Sequence, residues 1–511
     1  MTPNQRPVTL PVTSHSRITT VRGAASIRRL DRLPTAARSM LSVASSTRLL
    51  LRRHRPLPLA SRVCNASRAI SSVISILDQK YKPDDTTNIT QSILAKLPLR
   101  LHNQPAHPLG ILRSKIESHF HDFAHLSSFH PVVTPAQNFD LLGFPADHPG
   151  RSVTDSYYIN KDYMLRTHTS AHEVETFATG QTKWLLTADV YRRDEIDSSH
   201  YPVFHQMEGA RVFKTDQAAI EGLKEDNERL GRYLEQSNIV IEDIPHISPT
   251  NPAQSTHDPA HSELVALNLK LSINSLLLKL FGGGARDAPL QVRWIEAYFP
   301  FTSPSFEVEI LYQGKWLEIL GCGVVQQLTL DNASEYLRGF PFAARSHHSL
   351  EIPDNISWAF GLGLERIAMI LFGIPDIRLF WSTDPRFLSQ FSEDRITTFK
   401  PYSKYPPCFK DVSFWIPEAG LHENDFCDLV RDVAGDLAED VKMVGGRWFC
   451  RLRELTHWPP QIDSFTHPKT NRRSVCYRIN YRSMDRFAPF RSTFVPFQFL
   501  TRTQVTIERR G

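Results

Sequence analysis

The chain has 511 residues, 41% hydrophobic and 22% charged, with a net charge of only +5; at about 100 to 200 residues per domain this is two to four domains with ample core, which excludes a small disulfide scaffold. Its six cysteines (Cys64, Cys322, Cys408, Cys427, Cys450, Cys476) form no Cys-x-x-Cys pair and no Cys/His knuckle, so no structural zinc or disulfide framework is signalled and a reducing compartment fits. No uninterrupted apolar run is long enough to span a bilayer, so no membrane association is expected.

The small net charge conceals three regions. Residues 1–70 hold 13 Arg, no Lys and one acid, Asp31; residues 71–444 hold 33 basic and 49 acidic residues; residues 445–511 hold 13 basic and 4 acidic. The first region is Ser/Thr-rich, with Arg28, Arg29, Arg52, Arg53 and Arg55 among small apolar residues. This is the pattern of a mitochondrial presequence, drawn inward by a matrix-negative potential, and it places the expected site of action in the mitochondrial matrix. A basic arm that binds RNA is the alternative.

Between residues 108 and 126, Leu109, Leu112, Ile116, Phe120 and Phe123 recur at three- and four-residue steps, which predicts one helix, followed by a short extended run over 129–133. Two β-rich runs over 184–191 and 203–213, joined by a polar loop, predict an antiparallel pair. A charged helix over 216–236, a Pro/His/Ser-rich link over 245–259 and an apolar helix over 264–281 stopped by three glycines come next. Strand-like runs over 292–301, 306–312 and 316–320 precede Trp358-Ala359-Phe360 and a helix over 364–372. Strands outnumber helices and adjoin through short loops, so the body reads as α+β, a mostly antiparallel sheet flanked by helices. After residue 401 the pattern predicts a strand over 412–416, an amphipathic helix over 424–437 and a strand over 475–481.

Two segments have the chemistry of a polyphosphate site. Tyr191-Arg192-Arg193-Asp194-Glu195 opens the loop of the paired strands, and His200 with Phe204-His205-Gln206-Met207-Glu208-Gly209 closes it. Farther on, Gly361-Leu362-Gly363-Leu364-Glu365-Arg366 places an arginine just inside a helix after a Gly-x-Gly turn. Each guanidinium offers a fork of donors to phosphate oxygens, and glycines let the backbone come close. A lone Gly-x-Gly is weak, and a lone strand-borne Arg is more often half of a surface ion pair; their order along the chain carries the weight.

At these residues the chain resembles the class II aminoacyl-tRNA synthetases, with 108–135 similar to motif 1, Tyr191 to Glu195 onward to motif 2, and Gly361 to Arg366 to motif 3. His168-Thr169-Ser170, the run from Phe204 to Gly209, and Tyr298-Phe299-Pro300-Phe301 resemble the phenylalanyl-tRNA synthetases, and Gln137-Asn138-Phe139-Asp140 through Ala146-Asp147-His148-Pro149 resembles the single-chain form of that family. The resemblance spans about residues 78–486. It implies an α+β class II catalytic domain over 71–385, a linker over 386–400 and a ferredoxin-like α+β anticodon-binding domain over 401–486. The implied reaction joins ATP and L-phenylalanine to phenylalanyl-adenylate and then charges tRNA(Phe), with Mg2+ accompanying ATP and the chain acting as a monomer.

By that resemblance Arg192 holds the α-phosphate and takes the charge developing there, while Arg366 and His200 hold the γ-phosphate end, Gly363 opens room for the nucleotide and Glu318 is the magnesium ligand. His168, Ser170, Gln206 and Glu208 hold the substrate's ammonium and carboxylate. Phe299 and Phe301, expected two apart on one strand face, clamp the phenyl ring edge to face above a floor at Ala359. Without the resemblance the Phe pair reads as core, His168 as a structural histidine and Glu318 as a cross-strand partner of Lys315 or another base. The C-terminal Lys469, Arg472, Arg473 and Arg478, with Phe465, Tyr477 and Tyr481, imply tRNA backbone neutralisation and base stacking.

The resemblance lapses over 444–461, inside an expected strand, where Trp448, Phe449, Leu452, Leu455 and Trp458 are too apolar for a solvated loop; the stretch reads as an in-frame intron carried into the chain. Residues 487–511 form an atypical tail where a closing helix and strand are expected. The competing function is a non-catalytic RNA-binding paralogue, which the presence of Arg192, Glu318 and Arg366 opposes.

Overall fold

The first long helix of the body is set by its opening residues: Pro108 at N1 needs no amide partner and the His107 ring accepts the Leu109 amide, so α1 runs Pro108–His119. It does not reach residue 126 as the apolar spacing predicts. The Phe123 amide closes a turn onto Phe120 O (3.0 Å), and Ala124–Leu126 becomes strand β1, parallel to β2 (Lys183–Tyr191). Phe120 and Phe123 are buried on the turn as they would be on a helix, so three-residue spacing could not separate the two. The computed structural model describes residues 73–282, 288–338, 355–402, 406–417, 420–444 and 464–483. The expected presequence, the tail and all of the interruption but Val444 lie outside the described residues.

Six further strands complete the main sheet: β3 (Val203–Lys214), β4 (Ile239–Glu242), β5 (Leu290–Glu296), β6 (Thr302–Tyr312), β7 (Lys315–Val325) and β8 (Asn355–Gly363). Their order across the sheet is β1-β2-β3-β8-β7-β6-β5-β4. Only the edge pairs β1·β2 and β4·β5 are parallel, so the mostly antiparallel expectation holds. The edge strand β4 was not expected; it is short and half exposed, with no long alternating pattern to announce it.

Helices cover the sheet: α2 (Glu173–Ala178), α3 (Gln217–Glu235), α4 (Pro259–Phe281), α5 (Gln327–Arg338) and α6 (Leu364–Phe372). Asp258 accepts the Ala260 and His261 amides and Pro259 sits at N1, so α4 begins at 259 and not at 264. By length and composition α4 could cross a membrane, yet it is mostly buried in the core. Its polar residues are satisfied there: Asn268 accepts from Trp358 Nε1 (2.9 Å), Asn274 from Trp294 Nε1 (3.1 Å), and Lys270 pairs with Asp243 (2.6 Å). The helix α6 spans the predicted residues.

The C-terminal region forms a second sheet from β9 (Cys408–Trp415), α7 (Glu423–Ala434), β10 (Ala438–Met443), β11 (Ser464–Thr466) and β12 (Arg473–Tyr481). Strand β12 lies between β9 on one side and β10 and β11 on the other, antiparallel to all three. That arrangement, with α7 joining two strands that flank a third, is the first part of a ferredoxin-like fold. Strands β10 and β11 lie end to end: Met443 pairs with Tyr477, the Val444 amide donates to Cys476 O (2.8 Å), and Ser464 pairs with Val475. The chain leaves and rejoins the sheet at neighbouring rungs, on either side of residues 445–463.

Candidate active site

The loop after β2, the middle of β3, the β7 strand and the turn from β8 into α6 converge because register fixes them: Gly361 pairs with Glu208, Gly363 with Gln206, and Cys322 with Phe360. They surround one cleft of about 1220 Å³. Every residue expected to bind nucleotide or amino acid lines it: Arg192, His200, Glu318, Gly363 and Arg366 with His168, Ser170, Gln206, Glu208, Phe299, Phe301 and Ala359.

At one end the donors suit phosphate. The Arg192 Nε donates to Thr167 O (2.8 Å), its guanidinium lies 5.3 Å from the centre of the Phe204 ring, and among the described residues it makes no ion pair. Arg366, on the first turn of α6 and 56% exposed, sits 3.4 Å from a Glu318 carboxylate oxygen. So exposed a pair is weak and readily exchanged for a ligand oxygen. Glu318 thus pairs with a base other than Lys315; on its strand it faces Glu309 of β6, which is held by Arg293 (2.8 Å). Burial and the charges of Glu318 and Glu309 hold Glu307 above the usual carboxylate range, so negative charge is crowded where a cation would relieve it. Among the described residues no group of three ligand side chains could hold a metal alone. A single carboxylate fits magnesium, which takes most of its shell from phosphate and water. A Cβ added at Gly361 or Gly363 would meet nothing within 4 Å, so both glycines leave open cleft.

His200 is exposed, with Nδ1 2.9 Å from Asp197 Oδ2. Partial burial works against its charge, but the hydrogen bond to Asp197 and the fields of Asp194, Asp197 and Glu195 win and raise its pKa.

The other end is buried. Glu208 is 2% exposed, Ser170 is buried beside it, and Gln206 Oε1 accepts the Thr169 amide (3.3 Å). Burial and the nearby Arg192 push the His168 imidazole down to about 3, so it is neutral, and neither buried ring nitrogen has a hydrogen-bond partner among the described residues. Its ring stacks on Phe144, centroids 5.5 Å apart. Two polar atoms left without partners at the cleft wall are available to a polar substrate group.

Phe299 and Phe301 do not lie on a strand. β5 ends at Glu296 and β6 begins at Thr302, and both rings sit in the connection, which is closed by Thr302 N to Phe299 O (3.3 Å) and Gln326 N to Phe301 O (2.8 Å). They stack on each other at 5.8 Å with 17° between planes, so they wall the pocket as a layered pair. Gly321 permits this, since a Cβ there would come within 2.6 Å of the Phe299 ring. Ala359 is buried between Ala210 and Gly323 on neighbouring strands, which leaves a small floor.

The tRNA residues divide. Lys469, Arg472 and Arg473 are exposed around the turn into β12. Arg478 forks Asp411 at 2.8 and 2.9 Å and covers the Phe409 ring. Tyr481 is fully buried and Tyr477 nearly so, which overturns their expected role in stacking. The cause is the period-two alternation of β12, whose residues 475, 477, 479 and 481 all face the core. The exposed rings of this face include Phe409, and the Arg472 guanidinium lies 5.6 Å from the Trp415 ring centre.

Sequence reasoning missed what braces the phosphate end. Arg193, beside Arg192, is buried against Asp428 and Asp425 of α7 (both 2.7 Å), Arg431 donates to Asp194 O and Glu195 O, and Tyr157 donates to Asp428 (2.8 Å). Ile196 is buried in the core of the C-terminal sheet. These partners stand more than two hundred residues apart, so no spacing rule could pair them. It also missed Glu173, three residues past Ser170 and facing the same cleft.

A family model of the class II tRNA synthetase core domain (F) matches residues 94–242 and 260–391, and the gap takes in the Pro/His/Ser-rich link. The chain is 45% identical to the mitochondrial phenylalanine–tRNA ligase of Saccharomyces cerevisiae, covering 80% of this chain and 88% of that one. It is 44% identical to the mitochondrial phenylalanine–tRNA ligase of Mus musculus (82% and 84%) and 41% identical to the chloroplastic/mitochondrial phenylalanine–tRNA ligase of Arabidopsis thaliana (80% and 79%). With its three motifs gathered on one cleft and relatives this similar along most of both chains, the chain belongs to the class II aminoacyl-tRNA synthetases, in the family of the mitochondrial phenylalanine–tRNA ligases.

Proposed function

We propose that this chain activates L-phenylalanine with ATP and transfers it to tRNA(Phe) in the mitochondrial matrix, acting as a monomer. One observation carries the reading: a single cleft has unpaired or weakly paired arginines at one end and a buried carboxylate and aromatic wall at the other. The substrate's ammonium meets Glu208, its carboxylate meets the neutral His168, and its ring lies along Phe299 and Phe301 over Ala359. Attack on the α-phosphorus needs no general base, because the carboxylate is already ionised. Arg192 stabilises the charge that develops on the α-phosphate, and Arg366 and His200 hold the far phosphates in line with departure. Magnesium bound through Glu318 would neutralise phosphate charge. Lys469, Arg472 and Arg473 on the C-terminal sheet supply attraction for tRNA, which the acidic catalytic body does not.

Phenylalanine-dependent exchange of pyrophosphate into ATP, followed by charging of tRNA(Phe), tests this on the full chain. Both activities are expected. RNA binding without exchange would instead support the non-catalytic paralogue.

A further inference from the structure

The amino-acid end of the cleft contains a second buried carboxyl group that the activation chemistry above does not use. Glu173 heads α2 at 1% exposure and Glu208 lies on β3 at 2%, and both line the cleft. Glu173 Oε2 and Glu208 Oε2 are both buried and each lacks a hydrogen-bond partner among the described residues, so two carboxyl groups with an open oxygen apiece share one end of the cleft, and the charge of Glu208 bears on Glu173. Two ionised carboxylates cannot hold that position in a buried site; a proton between them can.

The surrounding groups do not offer another solution. His172 on the preceding turn is committed to Glu175 through Nδ1 (2.6 Å), with Arg166 on its other nitrogen (3.0 Å). Arg192 is anchored on Thr167 O, and α5, packed against α2, carries Asp331 and Glu335, which are acids themselves. Of these charged groups only Glu208 bears on Glu173. Burial and the Glu208 charge hold Glu173 well above the usual carboxylate range.

We propose that Glu173 and Glu208 share one proton, so that the substrate's ammonium meets a single negative charge on Glu208, which the protonated Glu173 orients as a positioning residue. This rests on the reading that Glu208 receives the ammonium. Burial raises the pKa of Glu208 as well, and a hydrogen bond from the protonated neighbour opposes that rise and favours its ionised form. Removing that donor raises the pH at which Glu208 loses its charge.

Two variants of similar size separate this from packing. E173Q keeps an N–H donor toward Glu208, whereas E173M fills the space without one. In phenylalanine-dependent pyrophosphate exchange, the acid limb of kcat/KM for phenylalanine is expected to move up by roughly one pH unit in E173M and to stay within roughly half a unit of wild type in E173Q. E173Q shifting like E173M, or E173M keeping the wild-type limb, overturns the proposal. The ammonium reading fails separately, if E208Q retains the wild-type KM for phenylalanine. A wild-type-minus-E173Q infrared difference spectrum of the full chain at about pH 8 should show a protonated carboxyl band, and its absence also overturns the shared proton.

Discussion

The two ends of the cleft are built by different means. The amino-acid end belongs to the core of the main sheet: Glu208 and Ala359 are buried on its central strands, and Phe299 lies against a glycine of β7. The phosphate end consists of side chains standing in solvent, Arg366 at 56% exposure on the first turn of α6 and His200 on the loop after β2, whose start is held from outside by α7 through Arg193, Arg431 and Ile196. On the proposed function a rigid ring would be selected at this end, where the floor at Ala359 is close-packed and resists changes of even one methylene. On the proposed function a long polyphosphate would be received by donors that reach into open cleft, on a loop whose start is held by α7.

Breaking the brace should give the largest effect. Arg193→Ala leaves Asp428 buried without its main cation and is expected to cost about 3 to 5 kcal/mol of stability, read by denaturant titration. In the folded fraction KM for ATP should rise more than KM for phenylalanine; equal rises would mean that the two ends are not separately supported. Arg366→Ala comes next. Loss of one phosphate fork should slow pyrophosphate exchange by about 3 kcal/mol, on the order of a hundredfold, while the melting temperature stays put because its pair with Glu318 is weak. Wild-type exchange in the folded variant would remove Arg366 from the phosphate end.

A smaller effect sharpens the contrast through pH. His200 has a raised pKa and is charged below it, whereas His168, pushed down to about 3, stays neutral throughout the neutral range. KM for ATP should therefore rise as pH climbs through the His200 value, by less than about tenfold, and His200→Gln should flatten that rise. The same sign governs stability: the His200–Asp197 contribution is full below the ordinary imidazole value and fades as pH passes the raised one. A pH dependence that survives in His200→Gln would place the titrating group elsewhere.

Much of this was legible in the sequence where local rules decide. Gly363 as the cap before Leu364 marked α6, and the paired β-rich runs marked β2 and β3. Phe299 and Phe301 were assigned to a strand because aromatics favour strands, yet the chain must turn before β6 and the rings serve from the turn. Tyr481 carried the right chemistry for stacking, but alternation along β12 buries it, and a sequence shows alternation without showing which face is inward. The Arg193–Asp428 bridge was out of reach altogether, since a buried ion pair between distant segments is a property of the packed fold.

The end-to-end strands of the C-terminal sheet have a consequence for engineering. Val444 and Ser464 stand beside Cys476 and Val475, adjacent residues on β12, so deleting 445–463 would ask the chain to bridge about one strand residue, roughly 3.3 Å. Such a deletion would fuse β10 and β11 into one uninterrupted strand without moving any rung. The edge formed by β10 and β11 is thus already in register for a shorter chain.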